Sequence, residues 1–260
     1  MRKKSSLFIL SVIIFSILFI FNVEAKEKNI NFKSITIENG LSQNSVSAIF
    51  QDSEGYMWFG TADGLNKYDG YSFESYKFDK RSKNGIAGSY IADIAEDLKG
   101  NIWIATSKGL SKIDKKNQVI KNYFYDENNL SGISHYNIWN LLIDSKGNLW
   151  IGTENGLNLY DEQKDIFIKF CNNKENENSL SDNFILSLDE DENGLIWIGT
   201  KKGLNSLNVS DKKITRYSKN SEIMPLSDDY IFNVYCDKNN IIWIATKFGG
   251  LNKLDLKKNR

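Results

Sequence analysis

Trp58, Trp103, Trp150, Trp197 and Trp243 stand 45, 47, 47 and 46 residues apart. Each lies three residues after a turn: Asp52-Ser53-Glu54-Gly55, Asp97-Leu98-Lys99-Gly100, Asp144-Ser145-Lys146-Gly147, Asp191-Glu192-Asn193-Gly194 and Asp237-Lys238-Asn239-Asn240. Each is followed by an apolar residue, a small residue and Thr, as in Ile151-Gly152-Thr153. A second turn then ends in Gly-Leu at Leu65, Leu110, Leu157, Leu204 and Leu251. Self-similarity at a fixed period means that one supersecondary unit is stacked on copies of itself.

The unit reads as four short strands. Strand one alternates into the Asp turn, as in Val46 to Gln51. Asp can bind the turn amides, and Gly or Asn accepts the left-handed backbone that ends it. Strand two carries the Trp, and a short glycine-containing connection such as Ala62-Asp63-Gly64 leads into strand three. Strand four has an apolar-x-x-aromatic pattern, seen at Phe73 and Tyr76, Ile120 and Tyr123, Phe167 and Phe170, Ile214 and Tyr217. Four strands per repeat of this length is the dimension of a β-propeller blade. The fold expected is all-β, a propeller of five four-stranded blades with repeats at about 41–78, 86–125, 133–170, 180–217 and 226–256. Asp52, Gly55, Trp58, Asp97, Gly100, Trp103, Asp144, Gly147, Trp150, Asp191, Gly194, Trp197, Asp237 and Trp243 are then structural. Five equivalent indoles repeat a packing role between blades.

Blade five stops after its third strand, near Asp255, and one spare strand, residues 31–37, precedes blade one. Its Phe32, Ile35 and Ile37 match Phe73, Tyr76 and Phe78 in spacing. The N-terminal strand is therefore expected to supply the outer strand of blade five and close the ring, which removes exposed sheet edges. Residues 26–260 would form this single domain. Residues 1–25 fall outside it: Arg2, Lys3 and Lys4 precede an apolar run from Leu7 to Val23, and Val23-Glu24-Ala25 ends in a small residue. That is a cleaved signal peptide or a retained anchor through residues 7–23. Either places the domain outside the cytoplasm, periplasmic or extracellular.

Composition narrows the function. Lys and Arg number 33 against 33 Asp and Glu, so no basic excess marks a nucleic-acid binder. One His and two Cys hardly build a zinc site, and Cys171 and Cys236, far apart in the array, are expected to stay unpaired. The run Asp189 to Gly194 resembles half a calcium loop, but Thr200 stands where the bidentate Glu belongs. No catalytic constellation, metal site or cofactor is expected.

The D-x-x-G-x-x-W-[IF]-[GA]-T series followed by Gly-Leu resembles the two-component regulator propeller repeat. The opening segment, Glu38 to Val46 and then Gly64-Leu65-Asn66-Lys67-Tyr68-Asp69-Gly70, is similar to that family's usual first repeat. The resemblance implies an extracytoplasmic ligand-sensing module of a two-component-type regulator, with a membrane-bound output module as partner and its output domain lacking in this chain. Two other readings stay open: a secreted scaffold binding protein or glycan, and a glycan-active enzyme. An apolar anchor recurs at Leu41, Ile86, Ile133, Leu180 and Leu226, and the residues after it diverge. Asn44, Tyr90, His135, Tyr136, Trp139, Asn183, Phe184, Asp229 and Tyr230 are therefore the candidate ligand-binding set on the axial face. Aromatics beside amides and an acid suit a small polar ligand or saccharide.

Overall fold

Period-2 patterning and turn chemistry give five antiparallel sheets in the computed structural model, which describes residues 31–79, 85–222 and 224–257. Blade one is β1 (Val46–Gln51), β2 (Met57–Thr61), β3 (Gly64–Tyr68) and β4 (Phe73–Tyr76). Blade two is β5 (Ile91–Glu96), β6 (Ile102–Thr106), β7 (Gly109–Asp114) and β8 (Val119–Tyr123). Blade three is β9 (Ile138–Ile143), β10 (Leu149–Thr153), β11 (Gly156–Asp161) and β12 (Ile166–Phe170). Blade four is β13 (Ile185–Glu190), β14 (Leu195–Thr200), β15 (Gly203–Asn208) and β16 (Lys213–Tyr217). Blade five is β17 (Ile231–Cys236), β18 (Ile241–Thr246) and β19 (Leu251–Asp255). Strands pair in sequence order within each blade, and the first strands of successive blades pack on one another. The first strands thus line the axis and the fourth strands form the rim.

One hydrogen-bonded lock repeats in every blade. The Asp52 Oδ1 accepts from the Glu54 and Tyr56 amides at 3.1 and 2.9 Å, while its Oδ2 accepts from Trp58 Nε1 at 2.9 Å. Asp97–Trp103, Asp144–Trp150, Asp191–Trp197 and Asp237–Trp243 repeat the indole bond at 2.8, 2.9, 3.0 and 3.2 Å. The turn thereby satisfies the only polar atom of an indole that must be buried. Gly55, Gly100, Gly147 and Gly194 take positive φ to end the turn, and in blade five Asn240 does so at φ 61°. Burial pushes the Asp52 carboxyl up, but hydrogen bonds from Trp58, Lys115 and the Tyr56 amide, with the Lys115 charge, outweigh it and hold the group below the usual range.

A second lock, not foreseen, ties the incoming segment to strand three. Ser42, Ser134 and Ser181 share a hydroxyl hydrogen bond with the repeat residues Thr61, Thr153 and Thr200 at 2.9, 2.9 and 3.0 Å. Asn66, Asn158 and Asn205, each following Gly-Leu, donate to the same serines.

Between blades the core is apolar. Trp58 and Leu65 of blade one bury against Ile86, Ile91, Ile94, Ile102, Ile104 and Ile113 of blade two. Equivalent clusters join blades two and three, three and four, and four and five. Trp58, Trp103, Trp150 and Trp197 are at most 1% exposed, so the packing role holds for these four.

The expected closing strand is not among the described strands. Residues 31–36 include no strand and Ile37–Asn39 is a single 3-10 turn. The Thr36 amide donates to Asn39 Oδ1 at 2.9 Å and the Ile37 amide to Asn44 Oδ1 at 3.0 Å. These local bonds consume donors that a sheet ladder would have needed. Among the described residues blade five has three strands, so the architecture described is four four-stranded blades and one of three. The expected leader at residues 1–25 lies outside the described residues. Among the described residues, no helix is long and apolar enough to cross a membrane. Cys171 and Cys236 are both free.

Candidate functional site

Every blade carries a β-bulge at the same place. Strand one of blade three pairs Ile138 with Thr153 and Asn140 with Gly152, leaving Trp139 as the extra residue. Ser47, Ala92, Leu186 and Phe232 are the extra residues of the other four blades. A bulge re-aims its side chain away from the pleat. This accounts for Trp139, the one Trp outside the repeat register.

The residue before strand one and the residue after the repeat Thr also meet in three blades. In blade three, Asn137 donates to Glu154 at 2.7 Å. In blade four, the Lys201 ammonium sits 3.4 Å above the Phe184 ring. In blade five, Lys247 lies 4.6 Å from the Tyr230 ring. Backbone bonds fix the approach, as in Glu154 N to Asn137 O at 3.3 Å and Lys247 N to Tyr230 O at 2.9 Å. The pair is Ser45 with Ala62 in blade one and Tyr90 with Ser107 in blade two, so side-chain chemistry changes from blade to blade on a constant frame.

Two clusters of candidate residues come together on blades three and four. Trp139 and Phe184 are 6.0 Å apart, and Trp139 Nε1 donates to Glu154 at 3.3 Å. Glu154, Trp139, Phe184 and Lys201 form a continuous line from an anion to a cation with two rings between. Beside it, His135 lies 4.1 Å from Tyr136, with Tyr125 6.0 Å beyond, and His135 Nδ1 accepts from the Asn137 amide. Tyr90 and Tyr136 are 40% and 51% exposed, open to a ligand.

Three candidates are committed to holding loops instead. Asn44 Oδ1 is spent on the Ile37 amide. Asn183 accepts from the Asn172 amide at 2.6 Å, and its carbonyl accepts from Gly156 N in the preceding blade at 2.7 Å. Asp229 does the same with the Lys219 and Gly203 amides. Glu154, Lys201, Lys247 and Phe232 escaped the sequence reading. The first three follow the repeat Thr directly, which is the signal that could have found them. Phe232 is visible only through the bulge.

Away from the axial end, a cleft of about 490 Å³ opens between the turns of blades two and three, lined by Leu98, Trp103, Tyr160, Glu162 and Gln163. Lys99 and Lys112 pair with Glu162 there, at 2.6 and 3.6 Å. None of the axial residues reaches it.

Sheets stacked face to face about an axis, with first strands innermost, define a β-propeller. Four of its repeats, at residues 40–63, 132–155, 179–202 and 225–248, match the two component regulator propeller family. A 69-residue stretch is 51% identical to histidine kinase P4 of Formosa agariphila, covering 26% of this chain and 5% of the kinase. The extracellular domain of the BT3049 hybrid two component system of B. thetaiotaomicron superposes with a TM-score of 0.55 at 27% identity. That match covers 87% of this chain and 36% of the domain, so the chain spans little more than a third of its structural relative. Virginiamycin B lyase of Staphylococcus aureus shares the fold alone, at a TM-score of 0.58 and 11% identity over 81% of this chain and 70% of the lyase.

Proposed function

We propose that the chain is an exported, ligand-sensing propeller of a two-component-type regulator and binds a small polar ligand or saccharide at its axial end. The observation that carries this reading is the line Glu154–Trp139–Phe184–Lys201, which bridges blades three and four. Ring faces suit the C–H faces of a sugar, the carboxylate accepts hydroxyls and the ammonium donates to ring or carboxyl oxygens. Tyr136 and His135 extend the surface. The likeness to an extracellular domain of a hybrid two component system supports the sensing role and the location. The kinase relative supports a membrane-bound output module as partner. Occupancy across two blades would favour one spacing of those blades, and the output module would read that shift in population. No catalytic step, cofactor or nucleic acid enters this reading.

A thermal-shift screen of mono- and oligosaccharides, followed by calorimetry on the hits, tests it. Trp139→Ala and Phe184→Ala should each weaken a hit by about 1–3 kcal/mol while the fold survives. Tyr90→Ala, Tyr136→Ala and Tyr230→Ala extend the test to the neighbouring blades. Full affinity in the Trp139/Phe184 double variant would move the site elsewhere.

A further inference from the structure

At the end of the blades that carries the Asp turns, each joint is closed by side chains from two places. One is the residue following the third strand of the later blade: Lys115, Glu162, Val209 and Leu256 in blades two to five. The other is the residue following the turn Asp of the earlier blade: Ser53, Leu98, Ser145 and Glu192.

Three joints use both. Lys115 is 15% exposed and reaches Asp52, Glu54 and Glu96 at 3.2, 3.2 and 2.9 Å. Val209 packs on the cluster that holds Trp150, and Leu256 on the cluster that holds Trp197. Ser53 donates to Glu96, Ser145 donates to Glu190, and Glu192 accepts from Asn240, so each of them bonds the next blade.

The joint of blades two and three departs at both places. Glu162 does not settle on the indole below it but turns to Lys99 at 2.6 Å and Lys112 at 3.6 Å. Leu98 has no polar group to send across and is 79% exposed, and Ile143 stands in register with Glu96 and Glu190. The space left at this joint is the cleft of about 490 Å³, which reaches Asp97, Trp103 and Tyr160. Asp97 is accordingly only half-buried, where Asp52, Asp144 and Asp191 are buried. Its oxygens are taken by Asn101, Trp103 and two turn amides, so the polar groups left to a ligand are the two ammoniums that hold Glu162. Lys112 is 16% exposed and lies 5.1 Å from the Trp103 ring, whereas Lys99 and Glu162 are both well exposed. An exposed ion pair of that kind contributes little stability and is readily exchanged.

We propose that this cleft binds a small organic anion with an aliphatic body. Its carboxylate replaces that of Glu162 between Lys99 and Lys112, and its chain takes the place that Val209 and Leu256 fill at their joints. The volume is that of a small-molecule site. Exchange of one carboxylate for another is nearly neutral, so burial of the chain supplies the affinity.

Calorimetry of the full-length chain with hexanoate tests this, with hexanol and hexylamine as controls. Hexanoate should bind saturably and at least about tenfold more tightly than either control, because neither gives the lysines an anion. Glu162→Gln removes the internal competitor and should tighten hexanoate by about threefold or more, while Lys112→Met should weaken it by about tenfold. Glu162→Leu, patterned on Leu256, should fill the cleft and abolish hexanoate binding in a chain whose fold a thermal melt checks. Trp139→Ala, at the axial end, should leave hexanoate affinity unchanged. No saturable binding to the unmodified chain or to Glu162→Gln up to about 10 mM would overturn the proposal. So would a control that binds as tightly as hexanoate, or undiminished binding by Glu162→Leu. Loss of binding in Trp139→Ala would assign hexanoate to the axial site and would also overturn it.

Discussion

Leu204 and Leu251 follow the same glycine in successive repeats, pair in the same antiparallel register and precede the same Asn. Leu204 is fully buried, and Leu251 is 63% exposed. Trp197 and Trp243 differ in the same sense, and both keep their Asp hydrogen bond. The Asp turn and the paired strands of a blade thus form without a following neighbour. Burial differs, because Trp197 and Leu204 are covered by blade five and by Tyr217 of their own fourth strand, and among the described residues blade five has neither cover. Repeat proteins behave as nearest-neighbour arrays for this reason, with intrinsic blade terms and interface terms that add separately.

The largest expected effect separates those two terms. Trp150→Ala removes an indole buried at the joint of blades three and four and should cost about 3–5 kcal/mol. Trp243→Ala removes the same side chain from an open face and should cost no more than about half of that. Denaturant unfolding of both variants measures the difference, and equal losses would show that the indole acts within its blade rather than across the joint.

Asp93 is the acid of an interior joint, and Asn233 holds its place on the open face of blade five. Burial pushes the Asp93 carboxyl up to about 6, against the Leu141 and Ile94 amides that lower it. From 3.8 upward the unfolded chain has released this proton, while the folded chain holds it to about 6. Stability should therefore fall as pH rises across that window and level off above it, by up to about 3 kcal/mol. Asp93→Asn should flatten that slope and raise the melting temperature at pH 7. A slope unchanged in Asp93→Asn would assign it to other groups. Asp97 acts oppositely. Burial raises its carboxyl, but bonds from Asn101, Trp103 and two amides prevail and lower it, so its contribution is lost only in acid, as pH falls through the lowered value.

A smaller effect contrasts two alanines at one repeat position. Ala105 is 0% exposed and Ala245 is half-buried on the uncovered face. Ala105→Val should cost about 1–3 kcal/mol by overpacking the joint. Ala245→Val should change stability by less than about 0.5 kcal/mol. Thermal melts of the two at low protein concentration decide it, and a large loss at Ala245 would mean that its face is already covered.

Legibility followed the range of each interaction. The Asp turns and the Trp strands could be read directly, since the Asp–indole bond joins residues six apart, and the apolar anchors because they recur at one place in every repeat. The line from Glu154 to Lys201 could not. It needs a bulge at Trp139, and a bulge is a property of two paired strands. Asn44, Asn183 and Asp229 looked like ligand contacts because polar residues at divergent positions do, yet their partners are loop amides up to 27 residues away, as with Gly156 N and Asn183 O.

The amino-acid sequence by itself determined the blade: its period, four-strand plan, Asp–Trp lock and glycine turns. Period-2 burial and left-handed turn positions are written into local residue types, so no distant contact is required to specify them. The segment at residues 31–37 carries a strand-like pattern but no strand, and Asn39 and Asn44 bond its amides locally. The tertiary structure alone decided how the blades stack. Which faces are buried and which side chains gather at the axial end follow from contacts between blades, such as Asp93 with the Leu141 amide 48 residues on, and no local pattern specifies those.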